Sequence, residues 1–323
     1  MKRKEIKAAV LLTLAAIIWG FAFVAQRVGV QYIGSYTFTG VRFALGAFSL
    51  MPLIALQNRK EARNQSREKN TDEKKSETRL LYKVGMLAGT ILFIAAGLQQ
   101  LGIKDTTAGK AAFITGFYII MVPVFGIFLK HKIGKKTWAA AIIAIIGLYL
   151  ISVEESFTVS LGDLLVFICS FFFSAHILLI NQYADKINTL KLSVVQYLTC
   201  SALSMITALI FEEIHISHII NAGIPILYGG ILSVGVAYTL QIAGQKYAKA
   251  SHAAIIMSTE SVFALIGGII MLNESMDIRG YLGCLLMLLA VILSQYQKDS
   301  KDETEAEENL ELISDLNKVS HKT

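Results

Sequence analysis

A single carboxylate, Glu260, stands deep inside a long apolar stretch of the sequence, His252–Glu274. A stretch of this length can cross a bilayer as a helix. At a rise of about 1.5 Å per residue, Glu260 lies about 12 Å from His252, near the middle of a hydrocarbon core about 30 Å thick. An ionisable side chain at that depth is costly and marks a functional site by default. We expect Glu260 to contact a ligand ammonium group or to exchange protons; the alternative is a protonated, hydrogen-bonded structural residue.

The elements that must hold Glu260 in place are membrane helices. The chain has 323 residues, of which 54% are hydrophobic, and its mean hydropathy of +0.56 is too high for an ordinary soluble protein. Apolar runs recur along most of its length and predict an all-α membrane protein with ten transmembrane helices. The predicted spans are Ala8–Ala25, Ser35–Leu56, Val84–Ile103, Ala108–Leu129, Thr137–Val153, Leu161–Asn181, Leu192–Phe211, Ile224–Ala243, His252–Leu272 and Gly280–Tyr296.

The basic residues predict the orientation of these helices. The net charge of +6 lies mostly in loops between apolar runs, which argues against a nucleic-acid partner. With the N-terminus inside, the cytoplasmic segments are rich in Lys and Arg, with nine of them between Arg59 and Lys83. The sequence thus predicts a multi-pass protein of the cell membrane with both termini in the cytoplasm. Residues 57–83 are expected to form a charged cytoplasmic loop, and residues 297–323 a disordered acidic cytoplasmic tail.

An internal repeat divides the chain into two halves. With a shift of 142 residues, Leu98–Gly126 aligns with Leu240–Gly268 without a gap, and nine of the 29 pairs are identical. The predicted halves, 1–153 and 161–296, contain five spans each. Because five is an odd number, the second half enters the membrane from the opposite side, and such inverted repeats are typical of secondary transporters with a midplane site between the halves.

The repeat also predicts which residues line that site. Under the same shift Glu260 is equivalent to Tyr118, and Gln99 is equivalent to Gln241. A weaker match pairs Arg42 with Gln196. The candidate cavity residues are Glu260, Tyr118, Trp19, His176, Tyr238, Gln99 and Gln241. Ordinary packing between helices is the alternative for the aromatic residues and His176, and a structural helix-to-helix hydrogen bond is the alternative for the two glutamines.

Two further sets of polar residues are assigned no ligand. Arg42 lies about 10 Å from the outer end of its span, and we expect a structural or gating role, with the side chain snorkelling outward or pairing with backbone carbonyls. A cluster in an outer loop has metal-ligand residue types but is expected to be solvated, so neither a metal nor a cofactor is predicted. Its members are Glu212, Glu213, His215 and His218.

Several short motifs together resemble the EamA family of the drug/metabolite transporter superfamily, over about residues 8–296. The matching pieces are Trp19-Gly20 with Phe23, Arg42-Phe43, GKAAFITGFYIIMVPVF with Pro123, ASHAAIIMSTESVFALIGG with Glu260, and Glu274. Two positions depart from the family pattern. Ser261 stands where a proline often follows the glutamate, which leaves the local helix geometry open, and the closing Gly-Glu pair is Asn273-Glu274.

The resemblance implies a ten-helix, inverted-repeat carrier of small organic metabolites, often an exporter of amino acids or similar compounds. It also implies that the first four spans of each half line a central cavity while the fifth and tenth are peripheral. Pro123 is grouped with Arg42 as a gating or structural residue. The substrate does not carry over, because members of the family differ widely.

The expected function is therefore a secondary transporter, an exporter acting by alternating access, with proton coupling and oligomeric state left open. Its expected partners are a small-molecule solute, protons if transport is coupled, and the lipid bilayer. The Walker motif of ATP-driven transport is absent. An intramembrane enzyme acting on lipid or peptide is the alternative, but the sequence has no HExxH motif or convincing Ser/His dyad. A membrane sensor or assembly protein would need a folded soluble domain.

Overall fold

A computed structural model describes residues 3–63, 71–130, 133–152, 160–272 and 278–295. These residues form ten long helical segments, α1 to α10, with no strand among them. Seven segments are continuous: α1 Arg3–Gly29, α2 Ser35–Arg63, α3 Thr71–Gly102, α5 Lys135–Ser152, α6 Leu161–Tyr183, α7 Thr189–Phe211 and α10 Ile278–Gln295. Three change geometry along their length: α4 (Ala108–Thr115, Tyr118–Phe128), α8 (Gly223–Leu227, Tyr228–Tyr238, Thr239–Gln245) and α9 (Ala250–Met257, Glu260–Leu272).

The apolar character of these helices fits a membrane-spanning bundle. In the described part of the chain, eight helices are long and apolar enough to cross a membrane, namely α1 to α4 and α6 to α9. The other two, α5 and α10, have 18 residues each, and the apolar part of α10 is shorter still. The all-helical membrane fold is thus confirmed, whereas the count of ten spans stays a prediction.

The charged segment 57–83 is helical over much of its length, contrary to the predicted loop. α2 continues to Arg63 and α3 begins at Thr71. The segment contains neither glycine nor proline and is rich in Lys, Arg, Glu and Gln, which propagate a helix well once an apolar span has nucleated it. Residues 64–70 lie outside the described residues, as do Glu274 and the tail 297–323.

The packing of the helices follows the predicted repeat. Three helices pack against their own equivalents, with α2 on α7, α4 on α9 and α5 on α10. Contacts between different helices also occur in equivalent pairs: α3 packs on α6 and α7, and α8 packs on α1 and α2. This arrangement confirms a repeat fold of two inverted halves, whereas five membrane spans in each half stay a prediction. It leaves α5 and α10 as a separate pair, while the other helices surround a common centre.

Glycines allow the closest helix contacts of this bundle. A Cβ atom on Gly147 of α5 would lie 2.8 Å from the carbonyl oxygen of Gly283 in α10. A Cβ atom on Gly20 of α1 would lie 2.7 Å from the carbonyl oxygen of Glu260 in α9. Both distances are too short for a real side chain, so only glycine fits. Gly20 therefore brings α1 directly against the backbone that carries Glu260.

Two equivalent helix breaks interrupt α4 and α9, where the sequence predicted continuous spans. α4 is broken at Gly116 and Phe117, and α9 is broken 142 residues later, at Ser258 and Thr259. The tight backbone bond from Phe117 N to Ile114 O measures 3.2 Å, and the equivalent bond in α9 is also 3.2 Å. The break is therefore a feature of both halves and lies at the centre of each helix.

The break in α9 forms without the proline that is often found there in the family. Ser258 Oγ donates to Ile255 O at 2.8 Å, and Thr259 Oγ1 donates to Ile256 O at 2.7 Å. Such local bonds compete with the regular helical pattern and favour a bend. Ser261 Oγ donates instead to Ala112 O in α4 at 3.1 Å, so it links the two halves.

Candidate solute site between the two halves

A cavity of about 50 Å³ lies at the centre of the bundle, between the two breaks. It is lined by residues of α1, α2, α3, α4, α6, α8 and α9, so both halves contribute to it. The lining residues are Trp19, Phe23, Gln26, Arg42, Gln99, Thr115, Tyr118, Phe173, His176, Ile177, Ser233, Tyr238, Gln241, Met257 and Glu260. The helix pair α5 and α10 supplies none of them.

The structure brings all of the predicted cavity residues together around this space. Glu260, Tyr118, Trp19, His176, Tyr238, Gln99 and Gln241 all face it. Arg42 lines it as well, whereas Pro123 is buried within the second part of α4, away from the cavity. Their shared location makes these side chains available to one ligand; which of them bind it stays a prediction.

The centre of the cavity is a hydrogen bond between equivalent residues of the two halves. Tyr118 Oη donates to Glu260 Oε1 at 3.0 Å, and the two residues are 142 positions apart, the shift of the repeat. Each residue is the first of the helix that resumes after its break. The breaks therefore place both side chains where each helix resumes, next to the cavity.

Aromatic rings form one wall of the cavity. Trp19 and Tyr238 meet edge to face with their ring centroids 4.8 Å apart, and Trp19 Nε1 donates to Ser233 O at 3.2 Å. The ring of His176 lies 6.1 Å from that of Tyr238. His176 Nε2 is 3.0 Å from Gln196 Oε1, and since that oxygen only accepts, the ring nitrogen donates. His176 is thereby tied to α7 while its ring faces the cavity.

Tyr238 ends a π-helical stretch, Tyr228–Tyr238, within the predicted span Ile224–Ala243. π-Helical turns are rare and often occur at functional sites. The available signal was the glycine content of this stretch, YGGILSVGVAY, which allows α8 to pack closely against α2. The wider turns end next to the cavity and set the position of the Tyr238 ring.

Amide side chains complete the lining. Gln99 Nε2 donates to Thr115 Oγ1 at 3.1 Å. Among the described residues, the buried Oε1 atoms of Gln26 and Gln241 have no hydrogen-bond partner. Gln26 is a lining residue that the sequence did not predict, because it lies one residue beyond Ala25, where the first predicted span ends. These amide oxygens can accept hydrogen bonds from a polar ligand.

The side chain of Arg42 is buried, whereas one of the two arrangements predicted from the sequence was that it snorkels outward. Only 3% of its surface is exposed, and its guanidinium carbon lies 5.4 Å from the ring of Phe38 and 5.3 Å from that of Phe43. Its Nε atom has no hydrogen-bond partner in the described part of the chain. The cavity therefore has an arginine on the α2 side and a carboxyl group on the α9 side.

The metal-like cluster of the outer loop has local structural contacts. Glu212 accepts hydrogen bonds at 2.8 Å from Tyr36 N and Thr37 N, so it caps the start of α2. Glu213 is 3.5 Å from His215. Within the described residues, no group of three or more His, Cys, Asp or Glu side chains is arranged to hold a metal ion.

Comparison with known proteins assigns this architecture to a family. Residues 6–153 and 160–296 both match the model of the EamA-like transporter family. An uncharacterized transporter of Archaeoglobus fulgidus is 28% identical over 291 residues, covering 90% of this chain and 86% of that protein. The uncharacterized transporter YoaV of Bacillus subtilis is 21% identical over 302 residues, covering 90% and 97%.

A solved structure shares the fold. Titled only as the crystal structure of a protein, it superposes with a TM-score of 0.68 at 16% identity, over 89% of this chain and 96% of its own. At that identity the likeness concerns the fold alone. Since the family model matches both halves, this chain belongs to the EamA-like transporter family and is a multi-pass membrane transporter.

Proposed function

We propose that the protein is a secondary transporter that exports a small organic solute, amino acid-like or drug-like, by alternating access. The observation that carries this proposal is the hydrogen bond between Tyr118 and Glu260, which joins equivalent residues of inverted repeats across the central cavity. In carriers built from inverted repeats, discontinuous helices form the solute site at the repeat interface, and the halves rock around it. The breaks in α4 and α9 supply such helices here.

Polar contacts between the halves support a conformation closed at one end, away from the N-terminus of α1. Lys110 Nζ of α4 is 2.6 Å from Asp163 Oδ2 of α6, and Thr106 Oγ1 donates to the same carboxylate at 2.7 Å. Ser160 Oγ donates to Asp105 O at 3.2 Å. These contacts cross from one half to the other, so the halves must exchange them to open the cavity at this end.

Glu260 is the proposed coupling residue. It is the only acidic side chain in the cavity lining, as far as the structure describes it. The carboxylate of Glu260 can accept a hydrogen bond from Tyr118, and it can also bind a solute ammonium group or a proton. Binding of the solute or proton therefore competes with the contact that joins the halves. Loss of that contact would remove one of the links between the halves. Coupled antiport and uncoupled facilitation differ in whether a proton travels in the opposite direction.

For the orientation we propose a location in the cell membrane with both termini in the cytoplasm. The support is the excess of Lys and Arg in the segments that would then be cytoplasmic. In this orientation the closed end of the bundle faces outward. The moving bodies would be the two repeats, residues 1–153 and 161–296.

Reconstitution into liposomes tests the proposed function. Proteoliposomes are loaded with unlabelled solute and exposed to the labelled form, across a panel of amino acids, nucleosides and cationic drugs. A transporter exchanges one or more of these solutes unchanged, whereas an intramembrane enzyme would yield a new product. Protein-free liposomes give the background. Exchange at background level for the whole panel, or chemical conversion of a solute, would contradict the proposal.

A further inference from the structure

We propose that Arg42 binds a carboxylate group of the transported solute, which makes the cavity selective for organic acids and zwitterions. This inference rests on the proposed function for the role of the cavity, and it adds the chemical class of the ligand. It assigns to Arg42 a direct contact with the solute.

The first argument is that Arg42 is a buried cation without a counter-ion. Its side chain is 3% exposed and lines the cavity, and no carboxylate among the described residues pairs with it. An arginine does not lose its proton in proteins, so the charge cannot be removed by neutralisation. A charge at this depth in a membrane protein is tolerated when it is paired or faces a functional cavity. A solute anion supplies the missing partner.

The second argument is the way in which neighbouring groups hold the side chain. The rings of Phe38 and Phe43 lie 5.4 Å and 5.3 Å from the guanidinium carbon, and Gly229 of α8 leaves room for its methylene groups. Aromatic rings stabilise the cation but accept no strong hydrogen bond from its N–H groups. The buried Nε atom accordingly has no partner in the described structure. A carboxylate matches the fork of N–H donors on a guanidinium group.

The third argument is the difference between Arg42 and its equivalent in the other half. The repeat places Gln196 at the corresponding position, where its Oε1 atom accepts a hydrogen bond from His176 at 3.0 Å. The second half thus has a neutral residue, already bound to its neighbour, at the position where the first half has a cation. The anion site is therefore confined to the first half.

The balance of charge favours a carboxylate over a phosphate. Among the described lining residues, Arg42 is the only Lys or Arg, so it can neutralise one negative charge and would leave the second charge of a phosphate unpaired. Glu260 of α9 lines the same cavity and can receive a cationic group of the same solute. The aromatic wall of Trp19 and Tyr238 suits the apolar part of such a molecule.

Binding of matched compounds to the purified full-length protein tests this assignment. The pair 4-methylpentanoate and 4-methylpentanamide differs in one negative charge, as does the bulkier pair 3-phenylpropanoate and 3-phenylpropanamide. Leucine and 3-methylbutylamine test the same difference in the presence of an amine, and isobutyl phosphate tests the phosphate. Affinities are measured by titration calorimetry in detergent. We expect the acid of at least one pair to bind wild-type protein about tenfold or more tightly than its neutral or amine counterpart.

Variants then assign the preference to Arg42. Arg42→Gln copies the residue of the other half and should weaken binding of the preferred acid by about tenfold to a hundredfold, which removes the preference. Arg42→Lys should restore part of it. Lys104→Gln removes the same charge from an exposed site outside the cavity and should leave the preference unchanged.

The outcomes separate this inference from the proposed function. Equal binding of acid and neutral compound to wild-type protein, no binding of any acid, or an unchanged preference in Arg42→Gln would each overturn the carboxylate site. If wild-type protein binds isobutyl phosphate more tightly than any of the carboxylates, the choice of a carboxylate over a phosphate would be overturned. If Arg42→Gln fails to fold, the affinities of the acids and of their neutral or amine counterparts for wild-type protein still test the carboxylate site. Arg42-dependent binding without flux in liposomes would instead overturn transport.

Discussion

The two halves of the bundle share a backbone but differ in the chemistry at its centre. Both break their fourth helix at the same position of the repeat, and both resume it with a residue that faces the cavity. The first half provides Tyr118 and Arg42, whereas the second half provides Glu260 and, at the position of Arg42, Gln196. The shared backbone builds the cavity, and the differing side chains give it two chemically distinct sides.

The comparison predicts that the function depends most on Glu260, the side chain that only the second half provides. Glu260→Gln retains the size of the side chain and its ability to accept from Tyr118, but it cannot bind a proton or a full positive charge. We expect solute flux driven by a pH gradient to fall to the level of protein-free liposomes, while the variant still purifies as folded protein. Gradient-driven flux equal to that of wild type would contradict the coupling role.

A smaller but clear effect is expected where α1 meets the break of the second half. Gly20→Ala places a Cβ atom against the backbone of α9 and should lower stability by about 1–3 kcal/mol, because neither backbone can move freely. The matched control is Gly109→Ala in α4, where a Cβ atom meets nothing within 4 Å. That change should raise stability slightly, since alanine is the better helix former. Thermal unfolding in detergent compares the two; equal shifts would contradict the close approach.

The bond that joins the halves is tested by removing each of its partners. Tyr118→Phe deletes the donor to Glu260 and should cost about 1 kcal/mol of stability. In the double variant with Glu260→Leu, which removes the acceptor, the effects should not add, with a coupling of about 0.5 kcal/mol or more. Additive effects in thermal unfolding would show that the two side chains do not interact energetically.

The smallest effect is expected at Ser261. Its hydroxyl group donates a hydrogen bond to the other half, whereas the hydroxyl group of its neighbour Ser258 donates within α9. Ser261→Ala removes the hydrogen bond to Ala112 O and should lower stability by about 0.5 kcal/mol. Ser294→Ala serves as the control, because Ser294 bonds to Val291 in its own helix. A helix retains its own backbone bonds without that hydroxyl, so the control should change less. The reverse order would weaken the role of Ser261 as a link between the halves.

Much of this arrangement could be predicted from the sequence because hydropathy and the repeat are long-range signals. The apolar runs predicted the helices, and the shift of 142 residues paired Tyr118 with Glu260 before any geometry was known. Contact between the two follows from symmetry: equivalent positions near the centre of equivalent helices lie close to the axis that relates the halves.

Local geometry was harder to predict. At the break in α9, Ser258 and Thr259 bond to backbone carbonyls of their own helix, and such individual side-chain bonds leave only a weak signal in composition. Arg42 was predicted to lie about 10 Å from the outer end of its span and to snorkel outward or pair with backbone carbonyls, as it could in an isolated helix. Its burial is set by Phe38, Phe43 and the glycines of α8, which are brought together only by the folded bundle.

The contact between Tyr118 and Glu260 has a consequence for how such a protein can be encoded. If each half were a separate, identical subunit in an antiparallel dimer, the same residue would face itself at this contact. Two carboxylates 3.0 Å apart would repel each other, and two tyrosines would offer no acidic group to a solute ammonium group or a proton. Joining the halves in one chain permits a single charge at the axis, because each copy can then diverge at the position where they meet.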